Sequence, residues 1–243
     1  MGFVDIHAHI LPGMDDGARS PEEALGMLGM AWEEGISDII ATPHYKQGRY
    51  HARRQTVLEQ MELLQEAALE QGIPVRLHPG TEIFYRGGLE EKLDRGALWT
   101  LNGTEYVLVE FLPPEEYSYI RNSLDSLLGM GYRPVLAHAE RYRCFLRDAE
   151  KIGEIRKMGC RIQVNAGSVV GEFGHSAGRF VRGLIRKQMA DYLGTDARDL
   201  RGRSPAMKKC AADLYRKCSR EYADALLFGN AVSDLLEGAE GAR

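Results

Sequence analysis

His7 and His9 flank a single alanine, and alternation along an extended chain turns both imidazoles to the same side. Farther along, His44, Glu82, Glu110, His138 and Asp196 each stand at or just past the end of a short apolar or β-branched run. Imidazole nitrogen suits zinc, manganese or iron, and carboxylate oxygen suits manganese or magnesium. A mixed set of this size exceeds the needs of one ion. Two or three ions are the natural reading, with a carboxylate such as Glu82 bridging two of them. Ions about 3.5–4 Å apart can share a water, lower its pKa and clamp an in-line phosphoryl displacement. Taken singly, each residue has a plainer role. His138 suits a hydrogen-bonded core histidine, Glu82 and Glu110 suit surface carboxylates, and Asp196 suits a helix cap. The weight lies in the combination, because His7, His9, His44 and His138 fall at the exits of three separate runs.

Those runs cover residues 3–6, 38–42, 75–77 and on towards 82, 106–110, 133–137, 161–165 and 192–195. Successive starts lie roughly 27 to 37 residues apart, the length of a βα unit. Helical stretches separate them. Ser20-Pro21-Glu22-Glu23 forms a capping box with proline at the first helical position, and Gly35 closes that helix. Residues 53–71, 115–130 and 149–158 also read as helices, and the tail after Pro205 reads as two or three more. Repeated βα units with no linker indicate one α/β domain over residues 1–243, with extra C-terminal helices from about 205. An open sheet would spread the strand ends along a line, whereas a barrel gathers them on one mouth. Asn165 stands at another such exit and reads as a residue that orients a ligand or a water.

Composition narrows the function. Hydrophobic residues make up 44% and charged residues 27%, which permits a sizeable core, and the net charge of -4 argues against a nucleic-acid partner. No apolar run approaches the ~20 residues needed to span a bilayer, so direct membrane insertion is not expected. The opening MGFVDIHAHILPGMDDG has neither the basic nor the apolar region of a signal peptide, and a cytoplasmic protein is expected. Cys144, Cys160, Cys210 and Cys218 form no Cys-x-x-Cys pair. Cys210 and Arg216 have the Cys-x5-Arg spacing of thiol phosphatases. The five intervening residues contain no glycine and read as helix, not as a loop whose N–H groups converge on an anion.

A resemblance then emerges. Residues 5–17 (DIHAHILPGMDDG), 41–44 (ATPH), 80–83 (GTEI), 108–111 (LVEF), 134–142 (PVLAHAERY) and 163–168 (QVNAGS) resemble the bacterial manganese-dependent protein-tyrosine phosphatases of capsular and exopolysaccharide systems. These belong to the polymerase and histidinol phosphatase (PHP) superfamily, and the resemblance spans residues 3–236. It implies a distorted (β/α)7 TIM-like barrel, the PHP fold. It further implies that His7, His9, Glu82 and Asp196 hold one ion, that Glu82, Glu110 and His138 hold a second, and that Asp16 and His44 belong to a third. Manganese is the implied metal, with iron, cobalt or zinc as alternatives. Arg141 and Arg203 match arginines that hold the substrate phosphate, a task suited to the guanidinium fork.

One position departs from this pattern. Where the family carries Asp-x-His, this chain has Asp196-Ala197-Arg198. Either the third site is weak or empty and two ions do the chemistry, or Arg198 replaces the ion by neutralising a phosphate oxygen. The resemblance implies a phosphotyrosine protein as substrate, a cognate tyrosine kinase with a Tyr-rich tail. A PHP phosphatase acting on histidinol phosphate or a sugar phosphate is the alternative enzyme, and a non-catalytic phosphotyrosine-binding regulator the alternative of another class. The Tyr45, Lys46, Arg49, Tyr50, Arg53 and Arg54 cluster reads equally as a solvated face or as a rim that steers an anion.

Overall fold

The computed structural model describes residues 2–237. Strand β1 (Phe3–Ala8) leads through helix α1 (Pro21–Glu33) to β2 (Ile36–Ala41). Strand β2 breaks at Thr42-Pro43 and runs on as β3 (His44–Lys46), which a short antiparallel return, β4 (Tyr50–His51), doubles back. After α2 (Arg54–Glu70), β5 (Arg76–Pro79) breaks at Gly80-Thr81 and continues as β6 (Glu82–Phe84). Then come α3 (Glu90–Asp94), β7 (Tyr106–Glu110), α4 (Tyr117–Gly129), β8 (Arg133–Leu136), α5 (Arg143–Arg147), α6 (Glu150–Lys157), β9 (Arg161–Asn165), α7 (Ala166–Val170), α8 (His175–Arg186) and β10 (Tyr192–Gly194). The described residues finish with α9 (Lys208–Lys217), α10 (Arg220–Asp224) and wider helical turns through Leu236.

Parallel pairing runs β1-β2-β5 in one ladder and β10-β9-β8-β7-β6-β3 in the other. The two broken strands cross between the ladders and join them. The ends meet where Ala8 bridges Ala197, with Asp196 N–H donating to the His7 carbonyl and His9 N–H to the Ala197 carbonyl, both at 2.8 Å. Seven staves thus form a distorted (β/α)7 barrel. Gly194 permits this closure, since a Cβ there would lie 2.6 Å from the His7 Cβ.

The side-chain period of two divides each stave. Val107 and Val109 pack outward with Ile120 and Leu124 of α4, while Tyr106 and Leu108 pack inward with Val135, Tyr192 and Leu235. Burying each such side chain contributes about 1.5–3 kcal/mol. The same alternation carries Glu110 into the barrel above Leu108. In β1, Val4 and Ile6 belong to the inner cluster, and a register shift between Asp5 and Ala8 re-phases the strand so that His7 and His9 also turn inward. Ser20 caps α1 by accepting the Glu23 N–H at 3.3 Å. Glu23 completes no reciprocal box; it accepts the Arg19 N–H at 2.9 Å instead.

Candidate metal centre

All eight candidate ligands meet at the carboxyl ends of the staves. The Nε2 atoms of His7 and His9 lie 3.2 Å apart, each 3.1 Å from Glu82 Oε2. Asp196 Oδ1 stands 3.3 Å from His9 Nε2 and 3.7 Å from His7 Nε2. On the other side of Glu82, His138 Nε2 approaches Oε1 at 2.8 Å and Glu110 Oε2 at 3.7 Å. His44 Nδ1 lies 3.0 Å from Glu82 Oε2 and 3.2 Å from Glu110 Oε1, and its Nε2 faces Asp16 Oδ1 at 3.5 Å. Glu82 is fully buried at the centre of this group, and Asp16 is half exposed at its edge. His138 and Asp196 both hold left-handed backbone, with φ of 33° and 53°. That conformation is costly for residues with a Cβ and concentrates at functional sites.

The orientation of the rings comes from residues that the motifs only partly revealed. His9 Nδ1 bonds Asp15 Oδ2 at 2.6 Å, and His7 Nδ1 faces Gln163 Oε1 at 3.3 Å. Each contact keeps a proton on Nδ1 and aims the Nε2 lone pair at the cluster. Gln163 Oε1 also accepts the His138 N–H at 2.6 Å, and Asn165 Nδ2 donates to Asp196 Oδ2 at 3.2 Å. Glycine at position 17 lets the Asp15-Asp16 loop lie against His9, since a Cβ there would meet the His9 carbonyl oxygen at 2.1 Å.

This donor set fits a divalent cation. Two lone pairs pointing at each other across 3.2 Å repel unless a proton or a metal stands between them. Glu82 Oε2 is buried, touches three imidazole nitrogens, and makes no well-aligned hydrogen bond. Protonation is the metal-free remedy. Burial disfavours the His9 imidazolium, but the Asp15 carboxylate more than offsets this and raises its pKa to about 9. Burial likewise opposes charge on His44, and Glu82 and Glu110 lift it to about 11.

Three arginines surround Asp196. Arg141 Nη2 bonds Oδ2 at 2.5 Å, Arg203 pairs with the same oxygen, and Arg198 Nη2 reaches Oδ1 at 3.2 Å. Arg141 and Arg203 also line a depression of about 520 Å³ with Glu140, His175 and the apolar side chains of Pro113, Leu146 and Phe173. Arg198 instead extends into the His9, Asp16 and His44 group.

The capsular polysaccharide synthesis CpsB/CapC family model matches residues 3–236. This chain belongs to the CpsB/CapC family. It is 33% identical to the tyrosine-protein phosphatase YwqE of Bacillus subtilis (strain 168) over 202 residues, which is 83% of this chain and 80% of the relative. Its fold matches a chain from the crystal structures of YwqE from Bacillus subtilis and CpsB from Streptococcus pneumoniae, described as unique metal-dependent tyrosine phosphatases. That match has a TM-score of 0.90 at 31% identity, covering 97% of this chain and 94% of the other. Histidinol phosphate phosphatase from Lactococcus lactis shares the fold alone, with a TM-score of 0.55 at 14% identity over 81% of this chain and 86% of the other.

CpsB/CapC membership agrees with the state of the cysteines. Cys210 is buried inside α9, burial raises its thiol pKa, and Arg216 pairs with Asp213 on the surface. No anion cradle joins them. The basic segment after His44 lies beside the CpsB/CapC centre. Tyr50 stacks on the His44 ring at 5.6 Å, and Lys46 sits 4.1 Å above Phe84. His175 is the first residue of α8. His78 bonds Asp38 at 2.9 Å and touches none of the candidate ligands. Among the described residues, no helix is long and apolar enough to cross a membrane.

Proposed function

We propose that this chain is a metal-dependent protein-tyrosine phosphatase. The observation that carries this reading is the convergence of His7, His9, Glu82, Glu110, His138 and Asp196 within ligand distance, with Arg141 and Arg203 beside them. His7, His9, Glu82 and Asp196 would hold one ion, and Glu82, Glu110 and His138 a second, with Glu82 shared. Manganese is favoured, and iron, cobalt or zinc suit the same donors. When bound, the ions would acidify the attacking water and neutralise charge on the phosphoryl oxygens. The residues of this chain do the rest. Asp15 and Gln163 fix the imidazole tautomers. Arg141 and Arg203 turn guanidinium donors to the equatorial oxygens. Pro113, Leu146 and Phe173 offer an apolar wall to an aromatic ring. The tyrosyl leaving group, with pKa ~10, departs more readily than an alkoxide.

Membership of a capsule-synthesis family, together with a basic and aromatic surround, supports a cytoplasmic phosphotyrosine protein as substrate, a tyrosine kinase with a Tyr-rich tail. The test is hydrolysis of a phosphotyrosyl peptide after strong chelation, and again after return of manganese, cobalt, iron, zinc or magnesium. Activity should vanish and be restored, most fully by manganese. Turnover untouched by chelation would contradict the proposal. Faster turnover of histidinol phosphate than of the peptide would move the assignment to a small metabolite.

A further inference from the structure

His9, Asp16 and His44 form a donor group as compact as the others, with ligand atoms within 4.8 Å of one another. Yet a side chain of this protein already addresses every member. Arg198 Nη2 lies 3.2 Å from His9 Nε2 and 3.0 Å from His44 Nε2, while Nη1 pairs with Asp16 Oδ1. The guanidinium fills the space between Asp16 and His44 and brings the positive charge that a third ion would supply. The side chain is buried, and its position follows from the fold. Ala197 bridges Ala8 at the barrel seam, and the Arg198 N–H donates to the Arg203 carbonyl at 2.7 Å. The group is therefore not free to take a cation without displacing Arg198.

We propose that Arg198 is a resident cation that replaces one metal ion, so that this chain works with two exchangeable ions and one fixed guanidinium. The inference rests on the metal-centre reading above and adds the stoichiometry. A guanidinium differs from an ion in useful ways. It cannot be chelated, it carries one charge in place of two, and it donates along fixed directions. Its Nε is buried and, among the described residues, has no acceptor, which leaves a donor for an oxygen brought to the mouth. Arg198 thus doubles as a substrate-side group that Asp16 and His44 hold in place.

Metal content of the intact protein tests this directly. The chain is loaded with excess manganese and desalted, its metal is measured by mass spectrometry, and ion positions are mapped by anomalous diffraction at the manganese edge. Wild type should hold two ions, with no anomalous peak between Asp16 and His44. Arg198→Lys should also hold two, and Arg198→His should gain a third between Asp16 and His44. Three ions in wild type, or two in a folded Arg198→His, overturn this inference and leave the phosphatase reading standing. No bound metal in wild type overturns both. If Arg198→His fails to fold by circular dichroism, the wild-type anomalous map decides alone.

Discussion

Asp15 grips His9 through a 2.6 Å contact from Oδ2 to Nδ1, and the same oxygen accepts the His44 N–H at 2.7 Å. One carboxylate outside the donor set thus places two residues of the centre. Asp15→Asn keeps the shape but weakens the hold on the tautomer. Manganese affinity, measured by competition with a fluorescent chelator, should fall by about 10–100-fold. Unchanged affinity would mean that Asp15 serves only the loop.

Glu82 touches four imidazoles and is the one carboxylate shared by both proposed sites. Glu82→Ala and His9→Ala should each lower kcat/KM by more than about a hundredfold and reduce bound metal below wild type. Glu82→Ala should lose more metal than His9→Ala, because it strips a donor from two ions. Equal loss in both variants would argue against a bridging carboxylate.

Proton release should accompany metal uptake. The Asp15 and Asp196 carboxylates outweigh burial and raise the pKa of His9 to about 9, so its ring is charged at neutral pH before metal arrives. An ion that takes His9 Nε2 must expel its proton, so affinity rises with pH. Calorimetric titration with manganese in two buffers of different ionisation enthalpy should give different apparent heats at pH 7. Identical heats would mean that the imidazoles bind already neutral.

Much of this was legible in the sequence, for identifiable reasons. Strands buried on both faces appear as short β-branched runs, so β1, β7, β8, β9 and β10 are readable, and the next residue at each exit belongs to the mouth. Two features were not. The breaks at Thr42-Pro43 and Gly80-Thr81, which split two staves between the ladders, leave no periodic trace, because each half is only a few residues long. Helix α8 is the other: Gly178 and Gly183 lower its helix propensity, although Gly178, Val181, Leu184 and Ile185 form one buried stripe. Within the site, ligand types survive as motifs. The supporting contacts do not, since Gln163 reaches His7 and His138 across the barrel from positions far away in the chain.

Cys210 supplies a clean negative. Its sulfur is buried in α9 with its pKa raised by desolvation, and it does not line the depression that holds Arg141 and Arg203. A thiolate nucleophile needs the opposite environment, electropositive and accessible. Cys210→Ser should therefore leave kcat/KM within about twofold of wild type once the variant is shown to be folded. A loss comparable to that of Glu82→Ala would revive thiol chemistry.

Asp38 bears on stability, not chemistry. Its carboxylate is buried, which alone would raise its pKa, but hydrogen bonds from His78 at 2.9 Å, Arg76 at 2.8 Å and Ser37 at 2.7 Å bring it down to about 2. A carboxyl depressed below its unfolded value of ~3.9 stabilises the fold above that pH and loses the contribution as pH falls towards 2. Arg76 is largely exposed, so solvent screens its share, and Asp38→Asn should cost about 1–2 kcal/mol at pH 7. Urea denaturation of both proteins should show that gap at pH 7, with narrowing between pH 4 and pH 2 as the wild-type carboxylate protonates. A gap that stays constant over this range would mean that charge on Asp38 contributes nothing beyond the shape of its hydrogen bonds.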